Sequence, residues 1–136
     1  MKYKFINAHM RVAFIYAELS HCVRRKVGCV IVKDDKVISI GYNGTPSGFP
    51  NTCETPDGST TLPITIHAEC NAISKLARGN ESGEDASLFV TLAPCVQCAL
   101  LIIQSGIREV YYAEEYRDTA GIQLLKSSGV YIEKVE

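Results

Sequence analysis

The sequence predicts an α/β fold, a five-stranded mixed sheet with helices on both faces, and three observations carry that reading. Strand-like and helix-like segments alternate through the second half of the chain, which implies strand–helix–strand units with mostly parallel pairing. Two β-branched runs nearer the amino end are separated only by the short polar stretch Lys33-Asp34-Asp35-Lys36, which implies an antiparallel hairpin. The 136 residues suit one domain with one core, spanning residues 1–136, and no repeat, low-complexity tract or linker divides them.

Taken in order, Tyr3 to Ser20 sets Phe5, Ala8, His9, Val12, Ala13 and Tyr16 at three- and four-residue spacing, the pattern of an amphipathic helix. Val27 to Val32 and Val37 to Tyr42 are the hairpin strands. Asn43 to Pro63 is dense in Gly, Pro, Asn, Ser and Thr, and a loop that long in a small domain is usually functional or mobile. His67 to Ala77 reads as a helix, with Gly79 placed to end it. Ser87 to Thr91 is an apolar strand. Pro94 marks the start of a helix over Cys95 to Ser105, which stops at Gly106. Glu109 to Ala113 is a strand, Ala120 to Ser128 a short helix ended by Gly129, and Val130 to Val135 the last strand.

Charge narrows the function. Fourteen Lys and Arg face 15 Asp and Glu, for a formal net charge of −1, and this argues against a general nucleic-acid binder. Small phosphorylated ligands remain open, because one or two local cations suffice for them. Met1-Lys2-Tyr3-Lys4-Phe5 lacks a signal peptide's apolar run, and no stretch approaches the roughly 18 apolar residues of a membrane span. The expectation is a soluble cytoplasmic protein with no membrane partner. Six cysteines in such a setting point to a metal site or a catalytic thiol sooner than to a disulfide framework.

Two fragments at helix starts carry the chemistry: His67-Ala68-Glu69 and Pro94-Cys95-Val96-Gln97-Cys98. One His and two Cys are three soft-to-borderline ligands, and tetrahedral zinc is their natural partner. Three protein ligands leave a fourth position open, the mark of a catalytic zinc. Cys95 and Cys98 lie on one face of a helical turn and can grip one ion. Two helix amino termini aimed at that ion favour thiolates. Zinc lowers the pKa of bound water to about 7 and so supplies a nucleophile at neutral pH. Glu69, with no ligand duty, can carry that water's proton to a ring nitrogen and then to a leaving amine. A lone C-x-x-C would equally suit a redox pair or half of a zinc knuckle, but H-x-E followed by P-C-x-x-C is the signature of zinc nucleobase deaminases.

At these residues the chain resembles the deoxycytidylate (dCMP) deaminases of the cytidine deaminase superfamily. The likeness runs from Cys22-Val23-Arg24-Arg25-Lys26-Val27-Gly28 through Gly41-Tyr42-Asn43-Gly44-Thr45-Pro46-Ser47-Gly48 to Tyr111-Tyr112-Ala113-Glu114. It implies a three-layer α-β-α sandwich, with zinc on His67, Cys95 and Cys98 and with Glu69 as proton shuttle. Asn43 matches a sugar-contacting position, or is a turn residue tolerant of left-handed geometry. Arg24, Arg25 and Lys26 are candidates for the 5′-phosphate, of which at most two are expected to touch it. Ala68 belongs to the substrate site, and Tyr116 closes over the substrate. Tyr111 and Tyr112 are expected in core and interface.

The resemblance also implies allostery, with dCTP and Mg2+ activating and dTTP inhibiting, in a homohexamer. Gly41, Tyr42, Asn43 and Gly44 match the effector segment, so Asn43 is assigned to sugar or effector alternatively. Arg78 matches a position used between subunits, or complements the dipole of its helix. Some larger relatives hold a second, structural zinc. Here Cys22 and Cys53 match two of its positions, but Ile64-Thr65-Ile66 offers no obvious further ligand, so Cys22, Cys29, Cys53 and Cys70 are expected as free buried thiols, with a second zinc on Cys22 and Cys53 as the alternative.

The function implied is conversion of dCMP to dUMP and ammonia, which feeds dTMP synthesis. A deaminase of another cytosine form (dCTP or cytidine) is the nearest alternative; a tRNA adenosine deaminase lacks the basic face. A non-catalytic nucleotide sensor would have no need of Glu69.

Overall fold

A computed structural model describes all residues 1–136. Its elements are α1 (Tyr3–Ala17), β1 (Gly28–Lys33), β2 (Lys36–Tyr42), α2 (Ala68–Leu76), β3 (Ser87–Leu92), α3 (Val96–Gln104), β4 (Glu109–Glu114), α4 (Ala120–Ser127) and β5 (Tyr131–Lys134). The sheet runs in the order β2-β1-β3-β4-β5. β1 pairs antiparallel with both β2 and β3, and β3, β4 and β5 pair in parallel.

The expected mixed sheet of five strands is borne out, as is the hairpin. Asp34 and Asp35 both adopt positive φ (50° and 62°), the two-residue turn whose twist matches the flanking strands. Alternate residues of the central strands serve opposite faces. Cys29 and Ile31, Leu88 and Val90, and Val110 and Tyr112 meet α2, α3 and α4 on one side. Val30 and Val32, Phe89 and Tyr111 meet Ile6, Met10 and Ala13 of α1 on the other. Strands buried on both faces read as continuous apolar runs, which is why no polar alternation interrupts them in the sequence. Tyr111 is core, stacked on Phe89 with ring centroids 4.9 Å apart.

Three local expectations need correction. Gly79 does not end α2, which stops at Leu76 with Ala77 as a right-handed C-cap; Gly106 and Gly129, at φ 82° and 87°, do follow their helices in left-handed geometry. Pro94 lies before the cap of α3 and not in its first turn, because Cys95 is the N-cap. Cys22 and Cys53 are not free: they are bonded to each other across 31 residues of chain.

The long loop is also more tied than its composition suggests. Gly44 bridges Ile66, and Glu54 bridges Thr61. At its tip Asp57 accepts hydrogen bonds from the Thr55 hydroxyl and from the Ser59 amide and hydroxyl. These bonds hold its carboxyl down at about 2.

Two glycines set the layer spacing. A Cβ at Gly28 would collide with the Ala13 carbonyl and the Ala17 amide of α1, and one at Gly41 with the Ala68 carbonyl and the Ala72 amide of α2. The obstacles are helix backbone, which cannot swing aside. Gly28→Ala is therefore expected to destabilise the fold by about 1–3 kcal/mol in urea unfolding. A midpoint equal to that of the parent chain would remove the close-contact account.

Candidate active site

α2 packs on β1 and β2 of the antiparallel half and α3 follows β3, and the starts of the two helices come together beside the carboxy end of β3. His67 is the N-cap of α2 and Cys95 the N-cap of α3, both with extended backbone. Neither side chain caps its own helix. They turn toward each other instead: His67 Nδ1 lies 3.5 Å from Cys95 Sγ and 3.4 Å from Cys98 Sγ. The three ligand atoms all fall within 4.8 Å of one another.

This donor set fits zinc. Tetrahedral bonds of ordinary length to one nitrogen and one sulfur put those atoms about 3.6 Å apart. The observed spacings match that value without any movement of the helices. Cys95 already gives up its proton easily, held down at about 4 by hydrogen bonds from Cys98 and His67. His67 is raised by its hydrogen bond to Cys95.

Glu69 sits in the first turn of α2 and is only 4% exposed. Burial pushes its carboxyl up to about 7. A carboxyl with that affinity for protons both accepts and releases one near neutral pH, as a proton carrier must.

Above these groups opens a cavity of about 530 Å³. Its wall includes His67, Ala68, Glu69 and Cys95, and also Asn43, Arg24, Arg25 and Tyr116. The structure thus brings together most of the residues singled out in the sequence. Lys26 is not among the lining residues, in keeping with two of the basic triplet reaching the site. Arg25 Nη2 donates to Glu114 Oε2 at 2.6 Å, joining the loop before β1 to the end of β4. Asn43 braces that loop from inside: its Oδ1 accepts from the Val27 amide at 2.9 Å and its Nδ2 donates to the Arg25 carbonyl at 2.7 Å.

Sequence reasoning missed Arg117, Glu115, Glu54, Thr61 and Thr65, which also line the cavity. Arg117 follows Tyr116 directly, and a strand end next to a matched closing residue was the one available signal for it. Thr61 and Thr65 arrive through loop folding that no short-range pattern encodes.

A second cavity of about 190 Å³ lies on the other side of Asn43, and Tyr42, Gly44, His21, Ser47 and Cys53 are among its lining residues. Gly41 does not reach it; that residue is buried against α2, where its missing side chain admits the helix backbone. No helix is long and apolar enough to cross a membrane.

Comparison with known proteins gives a consistent result. A family model described as the cytidine and deoxycytidylate deaminase zinc-binding region matches residues 4–114. The deoxycytidylate deaminase of Saccharomyces cerevisiae is 36% identical over 132 residues, covering 90% of this chain and 42% of that protein. ComE operon protein 2 of Bacillus subtilis is 38% identical, covering 93% of this chain and 69% of that one. The chain thus spans less than half of the yeast protein. A crystal structure of dCMP deaminase from the cyanophage S-TIM5, in complex with dCMP and dUMP, superposes with a TM-score of 0.96 at 44% identity and covers 99% of both chains.

Proposed function

The chain belongs to the cytidine and deoxycytidylate deaminase family, and from that premise we propose that it hydrolyses dCMP to dUMP and ammonia, with one zinc ion per subunit. The observation that carries this reading is the convergence of three metal donors and a buried, proton-avid Glu69 beneath a cavity walled by arginines. Its volume falls in the range of small-ligand sites.

His67, Cys95 and Cys98 would hold the ion, which when bound would supply a water acidified to a pKa of about 7. Glu69 is placed to take a proton from the water that adds to C4 of the cytosine and to deliver it to N3. Glu69 then carries the proton of the new C4 hydroxyl to the exocyclic amine, so that the C4–N bond breaks, ammonia leaves and the hydroxyl oxygen becomes the carbonyl of the product. Arg24, Arg25 and Arg117 meet the 5′-phosphate with charge-assisted hydrogen bonds. Asn43 spends one acceptor and one donor on the loop and keeps one of each for the sugar. Tyr116 closes the open side.

The product feeds dTMP synthesis. The smaller cavity, bounded by Tyr42 and Gly44, supports an effector site for dCTP with Mg2+ as activator and dTTP as inhibitor. The assembly proposed is a homohexamer in the cytoplasm.

The test is ammonia release with dCMP, dCTP, deoxycytidine and adenosine side by side, each with and without dTTP plus Mg2+. The parent chain should favour dCMP and be suppressed by dTTP. Arg24→Glu should raise KM for dCMP about 10- to 100-fold, the weight of one charged hydrogen bond, and leave deoxycytidine turnover unchanged. Equal loss on both substrates, or none on dCMP, overturns the phosphate assignment. Absence of turnover on every cytosine form, with zinc bound, overturns the enzyme.

A further inference from the structure

The two cavities share a wall, and a covalent crosslink runs through it. Cys22 lines the larger cavity, Cys53 lines the smaller one, and the two are bonded with their Cα atoms 5.2 Å apart. Hydrogen bonds beside the bond tie the loop before β1 to the long loop after β2. Glu54 Oε2 accepts from the amides of Val23 at 2.9 Å and Arg24 at 3.2 Å. The Cys22 amide donates to Ser20 Oγ at 3.1 Å, and that hydroxyl donates to the Asn43 carbonyl at 2.8 Å. On the other strand of the tie, the Cys53 carbonyl accepts from the Leu62 amide and the Thr65 hydroxyl. The segment held in this way carries Arg24 and Arg25, whereas His67, Glu69, Cys95 and Cys98 are held by the starts of α2 and α3.

We propose that Cys22 and Cys53 form a reversible redox site that sets how tightly the larger cavity holds the phosphate of a nucleotide. The inference rests on the deaminase reading of that cavity. Its co-reactant is a low-molecular-weight disulfide such as oxidised glutathione. The thiolate of one cysteine attacks that disulfide and releases one reduced thiol; the second cysteine attacks the mixed disulfide and releases the other. Two electrons and two protons leave the cysteine pair, one S–S bond forms, and the oxidant's S–S bond is reduced to two thiols.

With the bond closed, the loop keeps its arginines aimed at the cavity before substrate arrives. With the bond open, the same loop rests on hydrogen bonds alone, and phosphate must order it on binding, which weakens affinity. The chemistry below is untouched, so the effect falls on KM and not on kcat. Linkage makes the relation reciprocal: if the bond tightens nucleotide binding by some factor, a bound nucleotide stabilises the bond against reduction by that same factor. A crosslink serving only the fold carries no such reciprocity.

The experiment uses the zinc-loaded chain and Cys53→Ser in glutathione buffers of stepped potential, with dUMP present or absent. Thiols are counted by alkylation and mass, and metal content is measured alongside. The oxidised parent should show KM for dCMP about 10-fold below that of the reduced parent and of Cys53→Ser, with kcat within about twofold. Deoxycytidine turnover should be alike in all three. Saturating dUMP should move the midpoint of the pair toward more reducing potential by about 30 mV, the equivalent of a tenfold change in a two-electron couple. If Cys53→Ser does not fold, the reduced parent supplies the comparison. The inference is overturned if no bond forms at any potential, if a second metal ion occupies the pair, or if the bond forms and neither KM nor midpoint moves. Absence of dCMP turnover in every state overturns the deaminase reading instead, and the dUMP shift still decides the redox site.

Discussion

Glu69→Gln is expected to lower kcat for dCMP by on the order of 10^4-fold, the upper end of what a general acid–base group supplies. The large value follows from the two proton transfers proposed for Glu69 in one turnover and from the absence of a second free carboxylate in the cavity floor. Glu115 and Glu54 line the same cavity, but Glu54 is engaged with two backbone amides and Glu115 accepts from the Tyr112 hydroxyl at 2.9 Å. Gln keeps the volume of Glu at a site that is 4% exposed, so packing is preserved. It cannot shuttle a proton. Ammonia release should fall to near background while the protein still carries one zinc per chain by elemental analysis. Residual activity within tenfold of the parent would sink the proton-carrier role. Loss of zinc would make Glu69 a ligand.

The second large effect is expected from Cys98→Ser. A neutral hydroxyl replaces a soft anionic donor in a position that is only 3% exposed, and no neighbouring side chain takes its place. Zinc should be lost in purification and turnover with it. Stability should fall too, because metal held at a thousand times its Kd contributes about 4 kcal/mol to the folded state. For a chain of this size that corresponds to a Tm drop of about 10 °C or more. The informative comparison is with a chelator: it should lower Tm of the parent and leave that of Cys98→Ser unmoved. A variant that retains one zinc and deaminates dCMP would break the His67–Cys95–Cys98 assignment.

Much of this was legible in the sequence, for identifiable reasons. The strand at Val27 to Val32 announced itself because burial on both faces removes every polar residue from the run. The cluster of His67, Cys95 and Cys98 was legible because both fragments open helices, and a helix start is a place where side chain and backbone amides point the same way. What stayed hidden depends on distance along the chain. Cys22 and Cys53 are each surrounded by ordinary loop residues, and only folding of the intervening 31-residue separation brings them into contact. Arg117 stands in Glu114-Glu115-Tyr116-Arg117-Asp118, a run of charged residues of both signs that looks like a solvated turn. Gly41 looked like an effector glycine because it adjoins Tyr42-Asn43-Gly44, but strand alternation points it at α2, whereas Tyr42 lines the smaller cavity and Asn43, just past the strand, lines both. Gly79 misled in the opposite sense: α2 ends three residues earlier, at Leu76, with a right-handed cap at Ala77 and no need of a glycine.

The glycine at position 41 has a reach beyond its own strand. α2 rests on β2 at a clearance set by an atom that is absent, and His67 stands at the very tip of that helix. Metal–ligand distances tolerate deviations of only about 0.2 Å. The accuracy of the metal centre is thus inherited from a contact on the far side of the helix turn, much as the focus of a lens depends on the thickness of its mount. A side chain there would act first on the spacing of nitrogen to sulfur and only afterwards on the fold, so metal affinity is the more sensitive gauge of how closely the layers sit.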